Sequence, residues 1–232
     1  MQILKPVLHF GLLLFPEFQW LDAVGPADYI NSHSHQYASL IPDIAPDVLD
    51  KAPHIKWHYI SSDLTPVKPT AGPLITPDVT YDTCPPLDYL IVPGPVPLLQ
   101  TVPDGLTAFL ENLLADDKFK ALLMICVGSL TIAQTGLLDG RNVCSNKTVL
   151  KSLALSGQLD PRVKWVGDRR WVVDGKLWSS AGITAGLDLA AEFARVHFDP
   201  DLVALVRESS EYAPNPDQPD KFAYILDGVT LP

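Results

Sequence analysis

Cysteine is scarce and scattered in this sequence. Cys84, Cys126 and Cys144 are the only three, and no two stand as C-x-x-C. An odd number at wide spacing argues against a disulfide framework and for a reducing compartment. Basic residues are also few, with 17 Lys and Arg against 27 Asp and Glu, a net charge of −10 and a pI near 4.9. That balance disfavours a protein whose main work is gripping nucleic-acid phosphates. No apolar run approaches bilayer-spanning length. The expectation is a cytoplasmic protein with neither nucleic acid nor membrane as a partner.

Several chemical motifs are missing as well. There is no G-x-G-x-x-G, P-loop, H-E-x-x-H or G-x-S-x-G. Gly25-Pro26 and Gly94-Pro95 make poor phosphate cradles, because proline offers no N–H. A dinucleotide dehydrogenase is disfavoured. His33-Ser34-His35 has no third ligand at metal-binding spacing, so it reads as a solvated loop and no metal is expected.

What the chain does have is ordinary globular material. Its 232 residues are 47% hydrophobic and 19% charged, enough for one domain over 1–232 with a sizeable core. The 22 prolines are about twice the usual share of ~5%, and they cluster between other elements, as rigid connections would. Near the N-terminus, Val7 to Phe15 is a continuous apolar run containing His9 and Gly11 without a small-residue cleavage pattern. A buried first strand fits it better than a signal peptide.

The organising stretch is Leu122 to Gln134. Leu122-Leu123-Met124-Ile125 runs into Cys126, a small turn follows, and a helical pattern continues to Leu138. This order reads as a buried strand, a tight corner and a helix, the cysteine counterpart of a nucleophile elbow. Backbone N–H groups and the positive helix end at such a corner favour the thiolate. The plain alternative is a small buried cysteine at a strand end.

Other elements follow from pattern. Trp20–Ile30 predicts a helix irregular around Gly25-Pro26, with Asp22 embedded among apolar residues either as a cap or as a functional acid. Residues 33–53 read as a long loop. Strands are expected at His54–Ile60, Leu87–Pro93 and Asn142–Ser145. Helices are expected at Asp104–Asp116, Thr148–Ser156, Gly182–His197 and from Asp199-Pro200 to about Tyr212. Asp174-Gly175 between two β-like runs predicts a type I′ hairpin. From Pro214 the chain reads as loop, with Phe222, Tyr224, Ile225 and Leu226 able to dock on the body.

Strands alternating with helices imply an α/β fold with an open, mostly parallel sheet. Ligands of such sheets bind beyond the carboxyl ends of the strands. Asp22, Gly94 and Cys126 each follow a predicted strand, and their coincidence says more than any one of them.

These residues resemble a family, the ThiJ/PfpI proteins of the class I glutamine amidotransferase-like superfamily, and within it the isocyanide hydratase branch. The matching stretches are Leu14-Phe15-Pro16-Glu17 through Gly25-Pro26, Cys84-Pro85-Pro86-Leu87-Asp88 through Gly94, Cys126-Val127-Gly128-Ser129, Thr135 to Gly140, Gly182 to Asp188 and Glu211-Tyr212-Ala213-Pro214. The resemblance implies a flavodoxin-like three-layer sandwich, a homodimer, Cys126 as nucleophile and Asp22 as the facing acid. It places Gly94, Val127, Gly128, Asn146 and Ile183 at substrate-binding positions. No organic cofactor or metal is implied.

Three positions depart from the family pattern. A glycine whose N–H helps form an anion hole is replaced by Pro95, a threonine after the nucleophile by Val127, and a histidine near the elbow by Asn146. Val127 or Gly128 N–H is the expected replacement for the lost donor. The leading reading is a cofactor-free, cysteine-dependent hydratase or lyase acting on a small molecule, most concretely hydrating an isonitrile to an N-formamide. Two alternatives stand beside it. One is a repurposed pocket in which Asp22 does acid–base dehydration, isomerisation or cyclisation. The other is a non-catalytic ligand-binding or redox-sensing dimer.

Overall fold

The structure, a computed structural model, describes residues 7–232. In chain order it runs β1 (Val7–Leu13), α1 (Trp20–Asn31), α2 (His35–Ala38), α3 (Pro46–Lys51), β2 (His54–Ser61), β3 (Val79–Thr80) and β4 (Tyr89–Val92). Next come α4 (Leu106–Ala115), β5 (Ala121–Met124), α5 (Gly128–Ala133), β6 (Asn142–Val143), α6 (Lys147–Leu155) and β7 (Lys164–Trp165). The hairpin β8 (Trp171–Asp174) and β9 (Leu177–Ser180), then α7 (Ala185–His197), α8 (Pro200–Ser209) and a 3₁₀ turn (Ala223–Leu226) complete it.

Among the described residues a seven-stranded sheet has the order β3-β2-β1-β4-β5-β9-β8, parallel throughout except for β8. The expected flavodoxin-like α/β fold is present. The reason lies in the central strands. Every residue of β4 and β5 is buried, as is the second half of β1, so their continuous apolar runs are covered on both faces. The strand order reverses between β1 and β4, which opens a crevice at their carboxyl ends.

Local chemistry sets the helix ends. Asn146 caps α6 and Asp199 caps α8, each with a side-chain oxygen accepting backbone N–H bonds, and Pro200 follows Asp199 at the first turn of α8. Pro26 sits inside α1 rather than at its start. Side chains that are small or lack a Cβ let α1 and α7 pack closely. A Cβ on Gly186 would stand 3.2 Å from Pro26 and 2.7 Å from Ile125.

Several expectations are corrected. The 33–53 loop contains α2 and α3, capped by Ser34 and started by Pro46. His33 is fully buried rather than solvated, with its ring stacked on Phe198 and Nδ1 3.0 Å from the Tyr29 carbonyl. The helix after Cys126 ends at Ala133, five residues short of Leu138, and passes into turns. Asn142–Val143 pairs with β7 in a separate ribbon. The hairpin loop has a positive φ at Gly175 alone, where a type I′ turn needs two.

Candidate active site

β1, β4 and β5 lie side by side, so the loops leaving their carboxyl ends converge. Asp22 follows β1 in α1, Gly94 follows β4 and Cys126 follows β5. Cys126 has φ 56°, the left-handed region that costs a non-glycine residue ~1–3 kcal/mol. Two hydroxyls hold this corner: Ser145 Oγ donates to the Cys126 carbonyl at 2.8 Å, and Ser129 Oγ lies 3.1 Å from the same oxygen. Gly94 and Gly128 make the close approach possible. A Cβ on Gly94 would stand 2.5 Å from Val127 Cγ2, and one on Gly128 2.5 Å from the Val92 carbonyl.

Asp22 is fully buried. Its Oδ2 accepts the Gly94 N–H at 3.1 Å, while Oδ1 has no hydrogen-bond partner. Burial pushes its carboxyl up to about 7, against the opposing pull of the Gly94 N–H and the Cys126 thiol. Thiol and carboxyl are therefore neighbours that perturb one another, through a close approach rather than a well-aligned bond.

Three donors face the Cys126 sulfur: the backbone N–H groups of Ile183 and Val127, and Asn146 Nδ2 at 3.6 Å. They do not prevail. Burial, followed by the Asp22 charge, pushes the thiol up to about 11. The expected thiolate-favouring corner is thus corrected for the resting protein. Helix α5 is only six residues long, and Cys126 is 4% exposed beside a carboxyl group. A short helix end offsets neither burial nor a neighbouring negative charge.

Val127 and Gly128 N–H, the two expected replacements for the Pro95 donor, are engaged differently. Gly128 N–H is spent on the Ile125 carbonyl at 2.8 Å, which leaves Val127 N–H directed at the sulfur. Pro95 itself is buried and bridges antiparallel to Phe18. Asn146 does two things at once. Its Oδ1 accepts Thr148 and Val149 N–H as the α6 cap, which turns Nδ2 toward the thiol. Gly182 makes room, since a Cβ there would stand 2.6 Å from Nδ2. Ile183, at φ 35°, is the second strained residue of the site.

A cavity of about 300 Å³ reaches the site through Asn146 and Ile183, which line it together with Arg170, Thr184, Phe222 and Ile225; Cys126 and Asp22 are not in its lining. A larger one, about 480 Å³, lies by Trp20 and Trp57 on another flank of α1 and is lined by none of the site residues. Part of the wall of the smaller cavity belongs to a buried ionic network that sequence reasoning missed. Lys147 pairs with Asp220, Arg170 with Asp188, and Asp188 also accepts Tyr212 Oη–H and the Asn215 N–H at 2.7 Å. Asp188 and Tyr212 stand in stretches that carry the family resemblance; nothing local announces that they meet. Among the described residues no group of three or more His, Cys, Asp and Glu is arranged to hold a metal. No described helix is long and apolar enough to cross a membrane.

Comparison with known proteins gives the chain's kinship. Isonitrile hydratase of Pseudomonas putida is 31% identical over 210 residues, covering 90% of this chain and 80% of that protein. The HTH-type transcriptional regulator GbdR of Pseudomonas aeruginosa is 31% identical over 157 residues, 68% of this chain, and the match spans only 41% of the regulator. A crystal structure of a ThiJ/PfpI family protein from Pseudomonas syringae superposes with a TM-score of 0.62 at 25% identity, covering 91% of this chain and 78% of that one. The DJ-1/PfpI family model matches residues 11–196, and with the elbow, the sheet order and these relatives in agreement, the chain belongs to the DJ-1/PfpI family.

Proposed function

We propose that the protein hydrates isonitriles to N-formamides, with Cys126 as nucleophile and Asp22 as proton donor and acceptor. The observation that carries this reading is the coupled pair. At neutral pH the thiol is protonated and Asp22 is close to half-protonated, so the site holds protons ready for transfer. Addition of a thiol to an isonitrile carbon needs that inventory. Asp22 gives its proton to the terminal carbon of R–N≡C, sulfur attacks the same carbon, and the carboxylate takes the thiol proton. The product is R–N=CH–S–Cys126. Water then adds to the thioimidate carbon, the C–S bond breaks, sulfur regains a proton and R–NH–CHO leaves.

Access supports the same reading. A linear –N≡C head group carries no side substituents at its reacting carbon, so it suits a cysteine that is only 4% exposed. The Val127, Ile183 and Asn146 donors stabilise negative charge as it develops on sulfur. Kinship with isonitrile hydratase points in the same direction.

The test measures N-formamide from cyclohexyl isonitrile with wild type, Cys126→Ser and Asp22→Asn. Expected are turnover by wild type, none by Cys126→Ser, and a loss of about 10²–10⁴-fold in Asp22→Asn, the usual worth of a positioned acid–base group. Substantial turnover by Cys126→Ser with severe loss in Asp22→Asn would favour non-covalent acid–base chemistry instead. A second reading, a non-catalytic ligand-binding protein, is favoured by the match to a transcriptional regulator and by the substituted shell of Pro95, Val127 and Asn146. It predicts binding without turnover.

A further inference from the structure

We propose that the C-terminal segment is the specificity wall of the substrate cavity, and that Phe222 and Ile225 select an uncharged, ring-sized R group. The substrate identity rests on the hydration reading above. The segment lies outside residues 11–196 matched by the family model, yet it contributes Asp220, Phe222 and Ile225 to a cavity shared with Asn146 and Ile183, the two lining residues that face the Cys126 sulfur.

The segment is held as a wall, not left as a tail. Arg170 N–H donates to the Asp217 carbonyl at 2.8 Å, and Arg169 pairs with Asp217 at 3.0 Å. Asp220 is buried against Lys147, the first residue of α6 and the neighbour of Asn146. Leu226 packs where Gly167 has no side chain, since a Cβ there would stand 2.6 Å from Leu226 Cδ1. With these anchors in place, Phe222 stays 50% exposed at the cavity edge. Phe222 and the half-buried Ile225 thus turn apolar surface to the cavity, the kind of lining that ligand pockets carry.

Charge and size define the occupant. Lys147 and Arg170 are already matched by Asp220 and Asp188, so the buried charges around the cavity cancel and offer no counter-ion to a carboxylate or an amine. The volume is about 300 Å³, and a cavity of about 150 Å³ is enough to hold benzene. A cyclohexyl or benzyl group therefore fits with its linear head directed past Asn146 and Ile183.

The experiment compares kcat/KM for cyclohexyl, methyl and carboxymethyl isonitriles in wild type, Phe222→Ala and Ile225→Ala. Expected is a wild-type preference for cyclohexyl, and a fall of about tenfold in the cyclohexyl-to-methyl ratio in Phe222→Ala, the scale of a lost hydrophobic contact. Carboxymethyl isonitrile is expected to do no better than methyl. An unchanged ratio in both variants, or a preference for the carboxylate, overturns the proposal. If wild type hydrates none of them, the hydration reading fails and the wall is read without turnover, from alkylation of Cys126 by N-benzyl iodoacetamide relative to iodoacetamide. A lower benzyl preference in Phe222→Ala sustains the wall; the same preference in both proteins overturns it.

Discussion

The side-chain amide of Asn146 stands 3.6 Å from the sulfur of Cys126 because its oxygen is occupied in capping α6. One residue therefore starts a helix and supplies a donor to the Cys126 sulfur. The two duties separate in Asn146→Asp. Aspartate caps as well as asparagine, so thermal stability is expected to stay close to wild type. The added carboxylate raises the thiol pKa further, and each pKa unit removes about tenfold of the thiolate. Iodoacetamide labelling of Cys126 below pH 10 is expected to slow by about that factor.

Asp22→Asn is expected to move reactivity and turnover in opposite directions. Removing the carboxylate takes away the second-largest cause of the raised thiol pKa, so Cys126 alkylates faster at pH 8. The same change removes the proposed acid, and the proposed hydration is expected to slow with it. Peptide mass spectrometry reads the first effect, and it also ranks the three thiols. Burial pushes Cys84 and Cys144 up to about 12 against about 11 for Cys126, so Cys126 is expected to be modified first near pH 9–10. Equal labelling of all three would remove the case for a distinct site.

The same substitution has a stability signature. In the folded protein the Asp22 carboxyl is raised from 3.8 to about 7. Between these values the folded state binds more protons than the unfolded state, so stability falls as pH rises through that window and levels off above it. A shift of that size is equivalent to about 4 kcal/mol. Asp22→Asn is therefore expected to match wild type below pH 4 and to exceed it by up to about 4 kcal/mol above pH 7. Denaturant titrations at pH 4 and pH 8 check this. A constant difference would place the effect outside Asp22 ionisation.

Lys147 and Asp220 form a pair with side-chain exposures of 3% and 1%. Removing one partner of a buried pair costs about 3–5 kcal/mol, whereas replacing both with apolar residues is often neutral. Asp220→Asn is thus expected to lower stability sharply. The double variant Lys147→Met/Asp220→Leu is expected to recover most of the loss in urea unfolding.

The parts of the fold legible in the sequence are those written as one-dimensional pattern. Tyr89–Val92 and Ala121–Met124 are buried on both faces, and a strand covered twice must be apolar throughout. Gly94 and Cys126 are legible for the same reason, because each comes within two residues of such a run, whereas Asp22 stands further on, inside α1. His33 is not. Its burial comes from Phe198, some 165 positions away, which no local window contains. The thiol pKa was misread because helix-end chemistry is visible locally, while desolvation and the Asp22 charge depend on how strands assemble. The ionic clamp on the C-terminal segment is invisible for a related reason, since Lys147 and Asp220 look like ordinary surface charges until the chain folds.

The left-handed backbone at Cys126 has a bearing on how this position changes over generations. At φ 56°, Asn, Asp and Gly sit more comfortably than cysteine. Without a task for the thiol, random substitution would drift toward those three, because each relieves local strain. A library randomised at position 126 and sorted for folding alone should therefore discard cysteine, and one sorted for turnover should restore it. Under the proposed chemistry, the corner makes the thiol a standing disadvantage that selection must keep offsetting.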